Sequence, residues 1–351
     1  MPPQKPLAEA LHDALAAPQP EGITARIKFT NHLTPLGALF GAAGSALLSG
    51  ASGRLWLAND GRGRLELQSD AGDTQIVWDR DALTVYDSSS NSEYRVTLPT
   101  RVESRRAGES QPPPTDEIAS WLAKLGANAT LSGAQPEVVG GQSAYTVTVS
   151  PKDDSGLLGA AQLAWDAARG IPLQMAIYAR GDSSPVLELT VTDVSYGTLS
   201  ADEVAVLPPA GAKVIELGNP TTNPAKGTTG DVTGIEAVRA AVSFPLVAPD
   251  SLVGLPRGTV RLLDRGTFKG ALIVYGEGLG AVVVVERAAE GTSEEGKNLG
   301  SLPTVEIAGV KGHELATQLG TAIEFRRNGV SFVLAGSLSA AAAEAAATAL
   351  G

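Results

Sequence analysis

Residues 53–99, GRLWLANDGRGRLELQSDAGDTQIVWDRDALTVYDSSSNSEYRVTLP, decide how this chain folds. GRLWLAND, RGRLELQSD, TQIVWD, ALTVYD and EYRVTLP each alternate apolar and polar side chains, and short turns of Gly, Asp, Asn or Ser part them. A period of two is that of a strand with one wet and one dry face, and turns this short join antiparallel neighbours. The stretch predicts an antiparallel meander. Crossover helices, which parallel strands need, find no room in it.

Upstream, ITARIKFT sets Ile23, Ala25, Ile27 and Phe29 against Thr24, Arg26, Lys28 and Thr30, another half-buried strand. Before it, Leu7, Leu11 and Leu15 recur at helical spacing until Pro18 and Pro20, which predicts an N-terminal amphipathic helix. Between the two strand patterns lies NHLTPLGALFGAAGSALLSG, where Leu36, Leu39, Phe40, Ala43 and Leu47 fall on one helical stripe. Gly37, Gly41, Gly44 and Ser45 interrupt that stripe and lower its helicity. It reads either as an ordinary helix packed on the sheet or as a mobile apolar flap over Leu33–Leu48.

Downstream, QPPPTDEIASWLAKLGAN predicts a covering helix, with Thr115 as N-cap and Ile118, Trp121, Leu122 and Leu125 on one side. SAYTVTVSP, AAQLAWDAA, IPLQMAIYAR and PVLELTVTDVSYG then resume the strand pattern. NPTTNPAKGTTGD, 219–231, is almost without apolar side chains, the composition of a linker. Two domains follow: 1–218, then 232–351 as a smaller α+β unit. The second opens with a helix over Val232–Val242 and continues through TVRLLD, ALIVYG, AVVVVER, PTVEIAG, AIEFRR and VSFVLAG. Ser339 caps a last Ala-rich helix.

Composition removes several chemistries. The net charge is −11 and no basic run occurs, so nucleic acid is not an expected partner. With no cysteine there is no disulfide, thiolate catalysis or Cys-based metal site. The opening MPPQKPLAEAL lacks a basic and an apolar leader segment, which leaves a cytosolic protein or one whose leader lies outside these residues. Apolar stretches are broken well short of the ~20 residues a spanning helix needs, so a soluble protein, peripheral to a membrane at most, is expected.

Several short patterns resolve to plain structure. Gly276-Glu-Gly278-Leu-Gly-Ala281 matches a dinucleotide fingerprint, but AVVVVER follows it where a helix N-terminus would have to hold the pyrophosphate. It reads as a hairpin turn. Gly291–Asn298 nearly spells a phosphate loop, yet carries Asn at the magnesium position and two glutamates. His12, His32 and His313 are too scattered to predict a metal site, and Trp78-Asp79-Arg80-Asp81 places its carboxylates in a turn. Asn128-Ala-Thr130 is a glycosylation pattern too short to be specific. No nucleophile, base and orienting group share a recognisable spacing. No enzyme is expected, and no cofactor.

The order helix, alternating strand, LWLANDGRGRLELQSD, IVWDRDALTVYDSSSNSEYRVTLP, interrupting helix, LAWDAARGIPLQMAIYARG and VLELTVTDVSYG, closing on VLPPAGAKVIEL, resembles the LolA/LolB-like lipoprotein-carrier superfamily, which includes LppX-, LprG- and RseB-like proteins. Trp165-Asp166, Gly170-Ile171-Pro172-Leu173 and Pro208-Pro209-Ala210-Gly211-Ala212 carry the match most strongly, over residues ~5–218. The resemblance implies an α+β fold: a curved, incompletely closed antiparallel sheet, a half-barrel lidded by helices, with the smaller α+β domain behind it. It implies an extracytoplasmic location and a non-enzymatic carrier of acyl lipid or lipoprotein acyl chains. Asn59-Asp60-Gly61 stands where the bacterial carriers have a basic residue and proline. The alternative is an RseB-like regulator that binds an envelope protein such as an anti-sigma factor and senses lipid.

Leu55, Leu57, Leu65, Leu67, Ile76, Trp78, Leu83 and Val85 alternate onto one expected inner face, with Leu36, Leu39, Phe40 and Leu47 as its lid. Aromatic residues make up only 5% of the chain, leaving medium-sized side chains to fill a wide sheet. Burying an acyl chain of about fifteen methylenes at roughly 0.8 kcal/mol each contributes on the order of 10 kcal/mol before entropy costs.

Overall fold

The computed structural model describes residues 1–33, 46, 50–70, 72–98, 112–152, 156–205, 209–217, 232–265, 268–289 and 302–350. The lid residues Leu36, Leu39, Phe40 and Leu47, the linker 219–231 and the loop 291–298 lie outside them. The chain forms two compact units: 1–150 with 160–178 and 182–222, and 223–351 with 151–159 and 179–181.

In the first unit, α1 (Leu7–Ala16) precedes β1 (Gly22–Asn31). The meander follows as β2 (Ala51–Ala58), β3 (Gly63–Gln68), β4 (Thr74–Trp78), β5 (Ala82–Asp87) and β6 (Ser92–Thr97). α2 (Thr115–Asn128) leads into β7 (Ala129–Leu131), β8 (Gln135–Val139), β9 (Gln142–Pro151), β10 (Leu158–Asp166), β11 (Pro172–Ala179) and β12 (Pro185–Tyr196). The short helix α3 (Ala201–Val204) and β13 (Lys213–Leu217) end the unit.

These strands make one sheet, in the order β13-β6-β5-β4-β3-β2-β1-β12-β11-β10-β9-β7, with β8 also on β9. It is strongly curled and open, its two end strands unjoined among the described residues. β1 and β12 zip the early meander to the late one, Ile23 opposite Tyr196 and Ala25 opposite Val194. The predicted antiparallel pairing holds except at one edge, where β13 runs parallel to β6. Arg95 of β6 reaches both Glu93 at 2.6 Å and Glu216 of β13 at 3.4 Å.

The turn at Gly170 has a physical reason for its glycine. Gly170 has φ +68°, and a Cβ there would strike the carbonyl oxygen of Ala14 in α1. Only glycine allows the helix to lie on that turn. Asp166, buried beside it, accepts the Tyr196 hydroxyl at 2.7 Å and the backbone N–H of Ala168 at 2.8 Å. α1 packs through Leu7, Ala10, Leu11 and Ala14 on Tyr145 and Trp165. These alternate to the face opposite Ala144 and Ala164, which belong to the sheet's other core cluster.

Two helix expectations are corrected. α2 begins at Thr115 itself, with Pro114 in the cap position and no side-chain cap, because proline's fixed φ already suits a helix start. Its stripe is also less covered than the spacing implied: Ile118 is buried, while Trp121 and Leu125 are 47% and 46% exposed.

In the second unit, β14 (Ser251–Leu252), β15 (Leu255–Arg265), β16 (Phe268–Tyr275), β17 (Val282–Ala288), β18 (Thr304–Ile307), β19 (Val310–Ala316), β20 (Thr321–Arg327) and β21 (Val330–Gly336) form an antiparallel sheet. Its order is β14-β15-β16-β17-β21-β20-β19-β18. α4 (Ile235–Ala241) and α5 (Ala340–Ala349) add to its core, the latter through Ala343, Ala346 and Ala347. Ser339 caps α5 as expected, accepting the Ala342 N–H. A strand follows Gly276–Ala281, as the hairpin reading of that glycine pattern requires.

Candidate functional site

Strand register turns alternation into rows that cross the first unit's sheet. One row runs Ile23, Leu57, Gly63, Trp78, Leu83, Val96 from β1 to β6. The next runs Ala25, Leu55, Leu65, Ile76, Val85, Tyr94. All eight predicted inner-face residues of β2–β5 therefore share one face, seven in these rows and Leu67 in the row beyond, opposite Gly53. That third row turns polar across the later strands, as Thr74, Asp87 and Ser92.

Coverage of this face is uneven. Ile23, Ala25, Ile27, Leu67, Ala144, Ala164, Leu173, Val191 and Val194 form a buried cluster that also takes in Val139 and the fully buried Ala46. Leu55, Leu57 and Leu65 are half-buried against it. Ile76, Trp78, Leu83 and Val85 are half-buried as well, and stand outside that cluster. The inner face is thus packed over β1, β12, β11 and β10, and holds an apolar wall without a described core over β4–β6.

Two glycines shape that wall. A Cβ on Gly63 would occupy the place of the Trp78 indole, so the ring lies across the glycine opposite it. Gly53 lies where any Cβ would strike the Glu66 carbonyl, allowing the close approach of β2 and β3. A second apolar row, Phe29–Leu189–Met175, crosses β1, β12 and β11 on the same face, with Leu189 41% and Met175 58% exposed. The predicted inner-face set did not include these three. Their alternation was legible, but only register joins them into a row.

The opposite face is polar. Arg64 lies over the Trp56 ring at 4.7 Å and pairs with Glu66, which also takes a 3.5 Å bond from Gln75. Asp79 does what the turn reading required, its Oδ1 accepting the N–H groups of Asp81 and Ala82 at 2.8 Å.

The second unit holds one unusual titratable group. Glu286 follows Val282 and Val284 onto the core face of β17 and is fully buried. Its Oε2 accepts the Val247 N–H at 2.9 Å, while Oε1 has no partner among the described residues. Burial pushes its pKa up to about 7, against the pull of that hydrogen bond. The Tyr275 hydroxyl is also buried, with no hydrogen-bond partner among the described residues, and burial raises its pKa. Among the described residues no three His, Asp or Glu side chains come close enough to hold a metal ion, and no helix is long and apolar enough to cross a membrane.

No protein-family model matches this chain, and no curated protein matches it. Solved structures do. MucB of Pseudomonas aeruginosa in its complex with MucA is 14% identical, with 97% of this chain and 95% of that chain covered and a TM-score of 0.45. MucB alone is 15% identical over 98% and 96%, TM-score 0.40. A LolA-superfamily protein from Nitrosomonas europaea is 9% identical over 57% of this chain and 98% of that chain, TM-score 0.25. The chain is similar to MucB over nearly its whole length, and to a LolA-superfamily protein over 57% of it.

Proposed function

We propose that the first unit is a non-enzymatic, extracytoplasmic lipid- or lipoprotein-binding module that holds acyl chains against the inner face of its curled sheet. The observation that carries this is the apolar wall of Ile76, Trp78, Leu83 and Val85, aligned by register yet only half-buried and outside the described core. A globular sheet normally closes such a face with its own side chains, since leaving it wet forfeits roughly 25 cal/mol per Å². An acyl chain supplies that cover without needing a directional partner, which suits a carrier that must also release.

The test is mass spectrometry of an organic extract of the purified protein, beside uptake of a fluorescent fatty acid. Wild type is expected to carry acyl lipid and to take up the probe. Ile76→Trp with Val85→Trp, which fills the wall, is expected to lose at least tenfold in uptake while keeping its far-UV spectrum. Wild type that neither carries nor takes up an acyl chain would sink the proposal and leave the partner-binding regulator as the better reading.

A further inference from the structure

The polar face of the same sheet carries a feature that acyl binding does not use. Arg26 of β1 and Arg54 of β2 are directly opposite one another, and Lys28 follows on the same face of β1 opposite Ser52. All three cations are exposed. Like charges set directly opposite in a ladder destabilise it, and sequences normally place a carboxylate there. Among the described residues, no carboxylate forms an ion pair with any of the three. Arg54's other cross-strand neighbour is Glu66, but Glu66 is held by Arg64 and Gln75. Asp193 of β12 is opposite Arg26 beside a register shift, and among the described residues the two form no ion pair.

The cations line space rather than a flat surface. Arg26, Arg54, Ser52, Gly53, Glu66 and Gln68 enclose a cleft of about 370 Å³. It shares Ser52 and Gln68 with a neighbouring cleft of about 540 Å³, to which Lys28, His32 and Asp70 contribute. Two guanidinium groups offer planar forks of donors, which match the oxygens of a phosphate better than a single-point charge does. The Ser52 hydroxyl and the Gln68 amide add neutral donors beside them. An anion there would remove the repulsion between Arg26 and Arg54 that the free protein retains.

We propose that Arg26, Arg54 and Lys28, with Ser52 and Gln68, form a binding site for a phosphate-bearing group on the outer face of the sheet. The chemistry is shared by a soluble phosphate ester and a phospholipid headgroup, and the experiment separates them. The full chain is titrated with inorganic phosphate and with glycerol 3-phosphate, following phosphorus NMR line width and the fluorescence of Trp56, whose side chain shares the polar face with Arg54. Flotation with phosphatidylglycerol vesicles, against phosphatidylcholine vesicles, is the second arm.

Saturable binding of the soluble probes identifies a free phosphate ester; binding to phosphatidylglycerol vesicles alone identifies a headgroup. In either case Arg26→Gln with Arg54→Gln should weaken binding at least about tenfold, and Arg239→Gln in the second unit should not. Added salt should weaken it too. The double variant should melt at or above the wild-type temperature, because it removes a like-charge pair. If it does not fold, Lys28→Gln serves in its place, with a smaller loss of the same sign. No saturable response in any arm, or undiminished binding by the folded variant, would overturn the proposal.

Discussion

The two sheets of this protein treat their apolar faces differently. In the second unit, Ile273, Tyr275, Val282, Val284, Phe325 and Leu334 are essentially without exposure, and the alanines of α5 pack into the same cluster. In the first, the face is apolar across β2–β5, but among the described residues only its β1 side reaches that density. The second unit is an ordinary core that spends its apolar surface on itself. In the first, the described residues leave Ile76, Trp78, Leu83 and Val85 half-buried and outside the core cluster. Packing density, rather than hydrophobicity, separates the two, since alternating Val, Ile and Leu occur in both.

The largest effect should come from breaking the denser side. Phe325 and Phe332 stack at 4.8 Å with planes 8° apart, both buried. Phe332→Ala is expected to cost about 3–5 kcal/mol, whereas Val85→Ala on the half-buried wall should cost about 1 kcal/mol. All four tryptophans, Trp56, Trp78, Trp121 and Trp165, lie in the first unit. Fluorescence therefore follows that unit, and hydrogen exchange of the β16–β21 amides follows the other. Equal costs at the two positions would erase the distinction drawn between the sheets.

Glu286 gives a second contrast, through pH. The native carboxyl keeps its proton up to about 7 because burial disfavours the charge, while the ordinary value, 4.5, applies once the unit unfolds. Between those values the native state binds more protons, so stability is greatest below about 4.5 and falls as pH rises to about 7, by on the order of 3 kcal/mol in all. Tyr275, Arg257 and Asp250 are the other charged or titratable groups around that corner of the core. Exchange protection of β16 and β17 should drop across that window in wild type and stay flat in Glu286→Gln. A flat wild-type profile would show that Glu286 finds a compensating partner.

A more local effect concerns the turn under α1. Gly170→Ala places a Cβ against the Ala14 carbonyl and forces a left-handed residue to carry a side chain, at an expected cost of about 1–3 kcal/mol. Thermal melts followed by Trp165, which α1 covers, read this directly. An unchanged melt would mean that α1 contributes little to the unit.

Much of the fold was legible because a strand's period is two and cannot be mistaken over five consecutive segments. The inner-face set in β2–β5 followed from alternation alone, and Ser339 followed from cap chemistry. Other features were not legible. The parallel pairing of β13 with β6 joins segments over a hundred residues apart, and nothing local encodes it. Thr115 looked like a cap because threonine often is one; the preceding proline supplied the helix start instead. Trp121 and Leu125 sit at core spacing but stay largely exposed, since spacing shows which side they share and not what faces it.

By itself, then, the sequence determined which residues share a face, where turns fall, and that cysteine chemistry is absent. Those are local consequences of side-chain period and backbone preference. The tertiary structure alone decided which rows meet: that the indole of Trp78 lies on Gly63, that Arg26 confronts Arg54, and that Glu286 ends in the buried core. The reason is register. A one-residue slip between strands would leave every local pattern intact and bring a different set of side chains together.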